Sequence, residues 1–176
     1  MRRLGVRGLR RALAAIAAGP LLAACSSFGG EMPPPKHWVE APAGSGTWVE
    51  TFERPNWAVS PPRREGHLRF VAEARSHLRS LAAGEGSPSA AAAAATSVFE
   101  RLEPRIGETD ALSAGAAAVD GLRLVARACR EQPLTEDADP ENTLWTAWAL
   151  WEVPIESVVA PLPPERRDAA AAALAR

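Results

Sequence analysis

Cys25 has the most distinctive surroundings of any reactive side chain in this sequence. It closes the run Leu22-Ala23-Ala24-Cys25 and is the first of only two cysteines. Upstream, Arg2, Arg3, Arg7, Arg10 and Arg11 form a basic leader without an acid, and residues 12–24 carry no charge. A positive stretch, a short apolar stretch and small residues at its exit make a secretory signal, with cleavage beside Cys25. The apolar run is too short for a membrane-spanning helix, which needs about 20 such residues. Gly19-Pro20 also interrupts it, because proline removes a helix hydrogen bond. The thiolate is the reactive form of cysteine, so covalent modification at the Cys25 sulfur is the chemistry this position offers.

Other residue types suggest chemistry but form no catalytic pattern. Trp38, Trp48 and Trp57 lie close together in sequence, with Phe52 among them. Such rings can stack on the sugars of a glycan or peptidoglycan, or pack on the domain's own sheet. His37, His67 and His77 include no pair four residues apart and no H-E-x-x-H, so no metal site is expected. Glu136, Asp137 and Asp139 are closely spaced, but a calcium loop needs a central glycine and a distal glutamate, and Pro140 sits badly for one. Gly44-Ser45-Gly46 is not a nucleophile elbow. There is no P-loop and no G-x-G-x-x-G, and Lys36, the only lysine, is not in a Ser-x-x-Lys motif. The expectation is a chain without a catalytic constellation or cofactor; the enzymatic alternative is a hydrolase with a scattered site.

Leu22, Ala23, Ala24 and Cys25 resemble the lipobox of bacterial lipoproteins at all four positions. The resemblance implies diacylglycerol on the Cys25 sulfur, cleavage before Cys25 and an acyl chain on the new amino group. Buried acyl chains contribute about 0.8 kcal/mol per CH₂, and two chains give stable anchoring. The expected partner is therefore the membrane, reached through lipid and not through a spanning helix. Ser26 follows the cysteine; in the didermal lipoproteins this sequence resembles, serine there implies sorting to the outer membrane, facing the periplasm. An ordinary signal peptide cut nearby is the alternative.

Five of the 20 Lys+Arg precede Cys25 and none of the 21 acids does, so the chain from Cys25 onward has 15 basic and 21 acidic residues, a balance of −6. A mildly acidic domain gains little from polyphosphate attraction, so nucleic acid is not an expected partner. If Cys25 carries lipid, Cys129 has no disulfide partner within the chain. It is then an intermolecular link, a redox thiol or a small buried hydrophobe.

The elements that must carry these residues fall behind the signal peptide at 1–24. Residues 25–36 are rich in Gly, Ser and Pro and read as a flexible tether. Residues 37–176 read as a single α+β domain, a small sheet with alanine-rich helices packed on one face. Trp-Val-Glu occurs at 38–40 and again at 48–50 around a Gly/Ser/Pro loop, which predicts a hairpin or a bent edge. From His67 to Arg75 the pattern alternates, with Leu68, Phe70, Ala72 and Ala74 on one face, and predicts a half-buried strand. Ser87-Pro88 opens an alanine-rich helix that Pro104 should end. A second helix is expected from about Asp110 to Arg130, because Ala111, Ala114, Ala118, Leu122, Val125 and Cys129 follow helical steps. Thr143 to Val153 is apolar on both faces and predicts an interior strand. Pro163-Pro164 should start a terminal helix.

Arg54-Pro55-Asn56-Trp57, then Gly66 to Ala74, then Trp145 to Pro154 resemble the LPP-twenty-type lipoprotein domain, a module related to the N-terminal domain of a flagellar assembly protein. That resemblance implies an α+β fold and a role in envelope structure or assembly. The expected function is accordingly that of a lipid-anchored envelope lipoprotein with a non-enzymatic structural, assembly or protein-binding role. The alternative is a glycan or peptidoglycan-binding module using Trp38, Trp48 and Trp57.

Overall fold

Five antiparallel strands and the helices that cover one of their faces account for the fold. A computed structural model of the chain describes residues 33–84, 86–135 and 142–176. The elements are β1 (Lys36–Glu40), β2 (Trp48–Thr51), a 3₁₀ turn (Asn56–Ala58), β3 (His67–Ser76), α1 (Arg79–Gly84), α2 (Gly86–Ile106), α3 (Glu108–Asp120), β4 (Arg123–Pro133), β5 (Thr143–Pro154), α4 (Ile155–Val159) and α5 (Pro164–Leu174). The strand order is β2-β1-β4-β5-β3. The mixed α+β class read from the sequence is the class observed.

Register divides the sheet into two faces. On one, Leu68 faces Val153, Phe70 faces Trp151 and Ala74 faces Ala147, with Ala147 opposite Cys129 and Cys129 opposite Trp38. All the helices pack on this side. Leu68 and Val153 join Ala94, Val98 and Leu102 of α2, Ala111, Ala114 and Ala118 of α3, Ile155 and Val158 of α4, and Ala170 and Leu174 of α5 in one core. The small side chains let α2 and α3 approach closely: a Cβ on Gly115 would lie 3.3 Å from the Ala95 carbonyl oxygen. Leu102, Leu162 and Leu174 are fully buried, each contributing about 1.5–3 kcal/mol through removal of apolar surface from water.

Among the described residues, the other face carries no α-helix. β2 and β3 occupy opposite edges, so the chain between them must cross the whole sheet. It does so through residues 52–66, whose 3₁₀ turn sets Trp57 and Ala58 against Val39, Val71, Ala128 and Trp148. At the far end, Glu152 on β5 accepts from Arg64 (2.6 Å) and from Arg69 Nε (3.1 Å) and Nη2 (3.0 Å), while Arg69 Nη1 donates to the Pro62 carbonyl (3.0 Å). These contacts fasten the strap to the sheet.

Two helix ends differ from the sequence expectation. The helix expected from Asp110 to Arg130 ends at Asp120, and Arg123–Pro133 is the middle strand of the sheet. The chain turns at Gly121, where a Cβ would lie 2.8 Å from Val153 Cγ2; only glycine lets the helix end come that close to β5. Pro104 lies inside α2 instead of ending it. The helix stops at Gly107, which adopts φ 85°, ψ 162° and donates to the Glu103 carbonyl (3.0 Å) while accepting from Ala111 (3.0 Å). One glycine thus closes α2 and opens α3 in a conformation that side chains resist.

Candidate functional site: a tryptophan cradle

The sheet's helix-covered face has a hollow where small residues line its centre. Cys129 on β4 and Ala147 on β5 are neighbours in register, with Trp38 on β1 beside Cys129. Trp48 on β2 and Trp145 on β5 stand one register step away on either side. Three indole rings therefore wall a floor made by a thiol and a methyl group. Helix α1 fills the hollow. Its Ala82 packs on Cys129 and Ala147, and its Arg79 guanidinium lies 4.5 Å from the Trp48 ring centroid, 5.6 Å from Trp145 and 5.8 Å from Trp38.

Local chemistry places α1 there. β3 ends at Ser76, whose hydroxyl accepts from the Leu78 amide (3.1 Å), and Leu78 then accepts from Ala82 (3.0 Å). A guanidinium over an indole face is worth about 0.5–2 kcal/mol, rising as the site is desolvated. A cradle of three such faces is built to hold a planar or quaternary cation, and in this fold it holds Arg79. The arrangement is an internal clasp on a six-residue helix that has little core of its own.

Cys129 is 1% exposed, and burial pushes its thiol up to about 11, with Arg79 opposing and Glu131 reinforcing the shift. At neutral pH it is a protonated, inaccessible thiol. Of the three readings open for it in the sequence, the small buried hydrophobe describes its surroundings.

The β1–β2 turn is organised by another buried side chain. Glu40 is 4% exposed, and its carboxylate accepts from the amides of Gly44 (2.7 Å) and Gly46 (2.7 Å), with Arg127 Nη1 at 3.7 Å. Gly44 and Gly46 both have positive φ, so Gly44-Ser45-Gly46 is a turn that wraps a carboxylate. The peptide between Ala41 and Pro42 is cis.

The three tryptophans singled out by the sequence do not share a platform. Trp38 and Trp48 line the cradle under α1, whereas Trp57 lies on the opposite face in the strap. Trp145 and Arg79, which complete the cradle, come from distant parts of the chain. Their register with Trp38 depends on strand order, which no local pattern reveals. On the strap face, Arg54 lies 4.3 Å above the Trp148 ring, and Trp148 Nε1 donates to Glu73 (2.9 Å).

His67 and His77 make backbone contacts through Nδ1, with Glu65 O at 3.0 Å and Thr143 O at 3.2 Å. Among the described residues, no group of three His, Cys, Asp or Glu could hold a metal ion, and no helix is long and apolar enough to cross a membrane. Leu22, Ala23, Ala24 and Cys25, and the acidic cluster Glu136, Asp137 and Asp139, lie outside the described residues. An open groove of about 490 Å³ runs beside β3. Of its five arginines, Arg64 and Arg69 are engaged by Glu152 and Arg101 by the Leu174 carbonyl (3.2 Å).

Comparison of the chain with family models, with curated proteins and with solved structures found no match.

Proposed function

We propose that this protein is a lipid-anchored cell-envelope lipoprotein whose domain has a non-enzymatic structural, assembly or protein-binding role, held at the outer membrane and facing the periplasm. The observation that carries the reading is Leu22-Ala23-Ala24-Cys25 behind a basic leader. It is supported by the surface of the domain's first hairpin. Val49 on β2 is 52% exposed, and Phe52 just beyond it is fully exposed. β2 is an edge strand that pairs only with β1 among the described residues. An edge strand flanked by exposed apolar side chains is a docking point for a second chain. The glycan-binding alternative draws less support, since Trp38 and Trp48 give their faces to Arg79 and Trp57 stands elsewhere.

Two measurements test this. Metabolic labelling with palmitate should mark the wild type and not Cys25→Ala; equal labelling of both removes the anchor. Pull-down from detergent-solubilised membranes should recover a reproducible partner that Phe52→Asp loses. A purified chain that turns over a substrate and recovers no partner would contradict the binding role.

A further inference from the structure

The strap face carries two guanidiniums and an imidazole, each with a buried nitrogen that has no hydrogen-bond partner. His37 on β1 and Arg130 on β4 are directly opposite in register and share this face with Thr146 and Arg75. Arg54, from the strap, lies one register step away over Trp148. Three nitrogens here are buried with no hydrogen-bond partner: His37 Nδ1, Arg130 Nε and Arg54 Nε. Burial first, and then the charges of Arg130 and Arg54, hold the His37 pKa below its ordinary value, with exposed Glu53 opposing. Proximity of the three groups is thus evident both in register and in their mutual field.

Nearby carboxylates answer this charge only in part: Glu53 acts on His37 and Glu73 on Arg54 through their fields, without hydrogen bonds to Arg54 or Arg130. Glu73 is committed, with Oε1 accepting from Arg75 Nε (2.9 Å) and Nη2 (2.8 Å) and Oε2 accepting from Trp148. Arg54 spends one nitrogen on the Ala58 carbonyl (2.6 Å). Neither Arg54 nor Arg130 is in an ion pair among the described residues. Burying an N–H without an acceptor costs about 1–3 kcal/mol, more beside a charge. Two such N–H groups, Arg54 Nε and Arg130 Nε, beside an unpartnered imidazole nitrogen call for an explanation. Arg54, Arg130 and His37 are half-buried as whole residues, not sealed.

We propose that His37, Arg54 and Arg130 form a binding site for a phosphomonoester oxyanion. Two unpaired guanidiniums match a group carrying about −1.5 to −2 charge; a carboxylate would leave one unanswered. Donors arriving from two strands and from the strap suit a tetrahedral anion, which offers oxygens in several directions, better than a planar one. The site also lies at the start of the domain, since His37 is the second residue of β1. An extended chain covers at most about 3.3–3.6 Å per residue, so the stretch from Cys25 to Lys36 would keep the site within reach of a bilayer. That lipid source rests on the anchor proposed above; the oxyanion site itself does not.

The test uses the full chain, held in non-ionic detergent for the phosphate arm and freed of detergent for the vesicle arm, and follows the imidazole signals of its three histidines by NMR. One arm adds inorganic phosphate. The other adds phosphatidylcholine vesicles with or without phosphatidic acid. Binding should shift His37 and raise its titration midpoint, leaving His67 and His77 in place. Arg130→Gln and Arg54→Gln should each weaken binding about tenfold or more, and Arg130→Lys less. A response to inorganic phosphate identifies a free-phosphate site; a response only to phosphatidic acid vesicles identifies a lipid phosphate. His37→Gln, which keeps both guanidiniums, should retain measurable binding by calorimetry if the arginines hold the anion. No His37 shift in either arm, or a shift that survives in the double variant Arg54→Gln/Arg130→Gln, would overturn the site. The inorganic phosphate arm is independent of the lipid at Cys25, so its outcome and that of palmitate labelling are read separately.

Discussion

Single residues in this domain carry roles that their types alone suggest only in part. Cys129 joins Trp38, Trp145 and Ala82 in one cluster and lies on the floor of the cradle. Its burial and raised pKa predict that Ellman's reagent will not react with it in the native chain at neutral pH and will react once denaturant is added. Rapid native labelling would mean that α1 opens readily. Glu40 shows the opposite surprise, a buried carboxylate that serves backbone amides. In the sequence, Trp-Val-Glu reads as strand, and nothing marks its last residue as the centre of the turn that follows. The half-buried donors His37, Arg54 and Arg130 were similarly hidden. Two of them lie on strands far apart in the chain, and the third lies in the strap just before its 3₁₀ turn.

Among the elements, β3, β5 and the terminal helix were legible because their patterns are local. Leu68, Phe70, Ala72 and Ala74 alternate cleanly, and Pro163-Pro164 opens α5. β4 was not, and its bulge explains why. Leu124 pairs with Trp151 and Ala126 with Leu150, so Val125 is an extra residue that shifts the phase of the strand. Leu124 and Arg127 consequently share a face at helical spacing, and Ala128 and Cys129 are both buried as neighbours. A strand with a bulge and two covered faces imitates a helix in sequence. The turn between α2 and α3 is the most sensitive point of the helical layer. Gly107→Ala should cost about 1–3 kcal/mol, because an L side chain resists its dihedrals although nothing crowds its Cβ. Chemical denaturation would measure it. A loss under about 0.5 kcal/mol would show that the turn relaxes into another conformation.

At the scale of the whole molecule, pH dependence is concentrated on the face of the sheet that the strap crosses. Burial works to raise the Glu152 carboxyl, but hydrogen bonds from Arg69 and Arg64 and their charge outweigh it and hold its pKa below the usual value of 4.5. Glu73 follows the same balance, with Arg75 and Trp148 as its donors. His37 is also lowered, from 6.5. A group whose folded pKa is depressed contributes stability above its unfolded pKa and loses it as pH falls. The melting temperature should therefore drop first as pH falls below about 6.5, through His37, and again below about 4.5, through Glu73 and Glu152. His37→Gln should flatten the first step and Glu152→Gln part of the second. A melting temperature constant from about pH 7 to about pH 3 would contradict the assignment. Sheet order was the least legible feature of the sequence, since Trp38 must find Cys129 and the strap must cross from one edge to the other. That order has a mechanical consequence. In the anchored form proposed above, any pull on the domain enters at Lys36, where β1 begins between β2 and β4. Force along an interior strand loads both flanking ladders in shear, so several hydrogen bonds must fail together. The same pull at a free edge would open them one at a time. If the anchor at Cys25 holds, the end of the domain that the tether joins is the end best arranged to bear load.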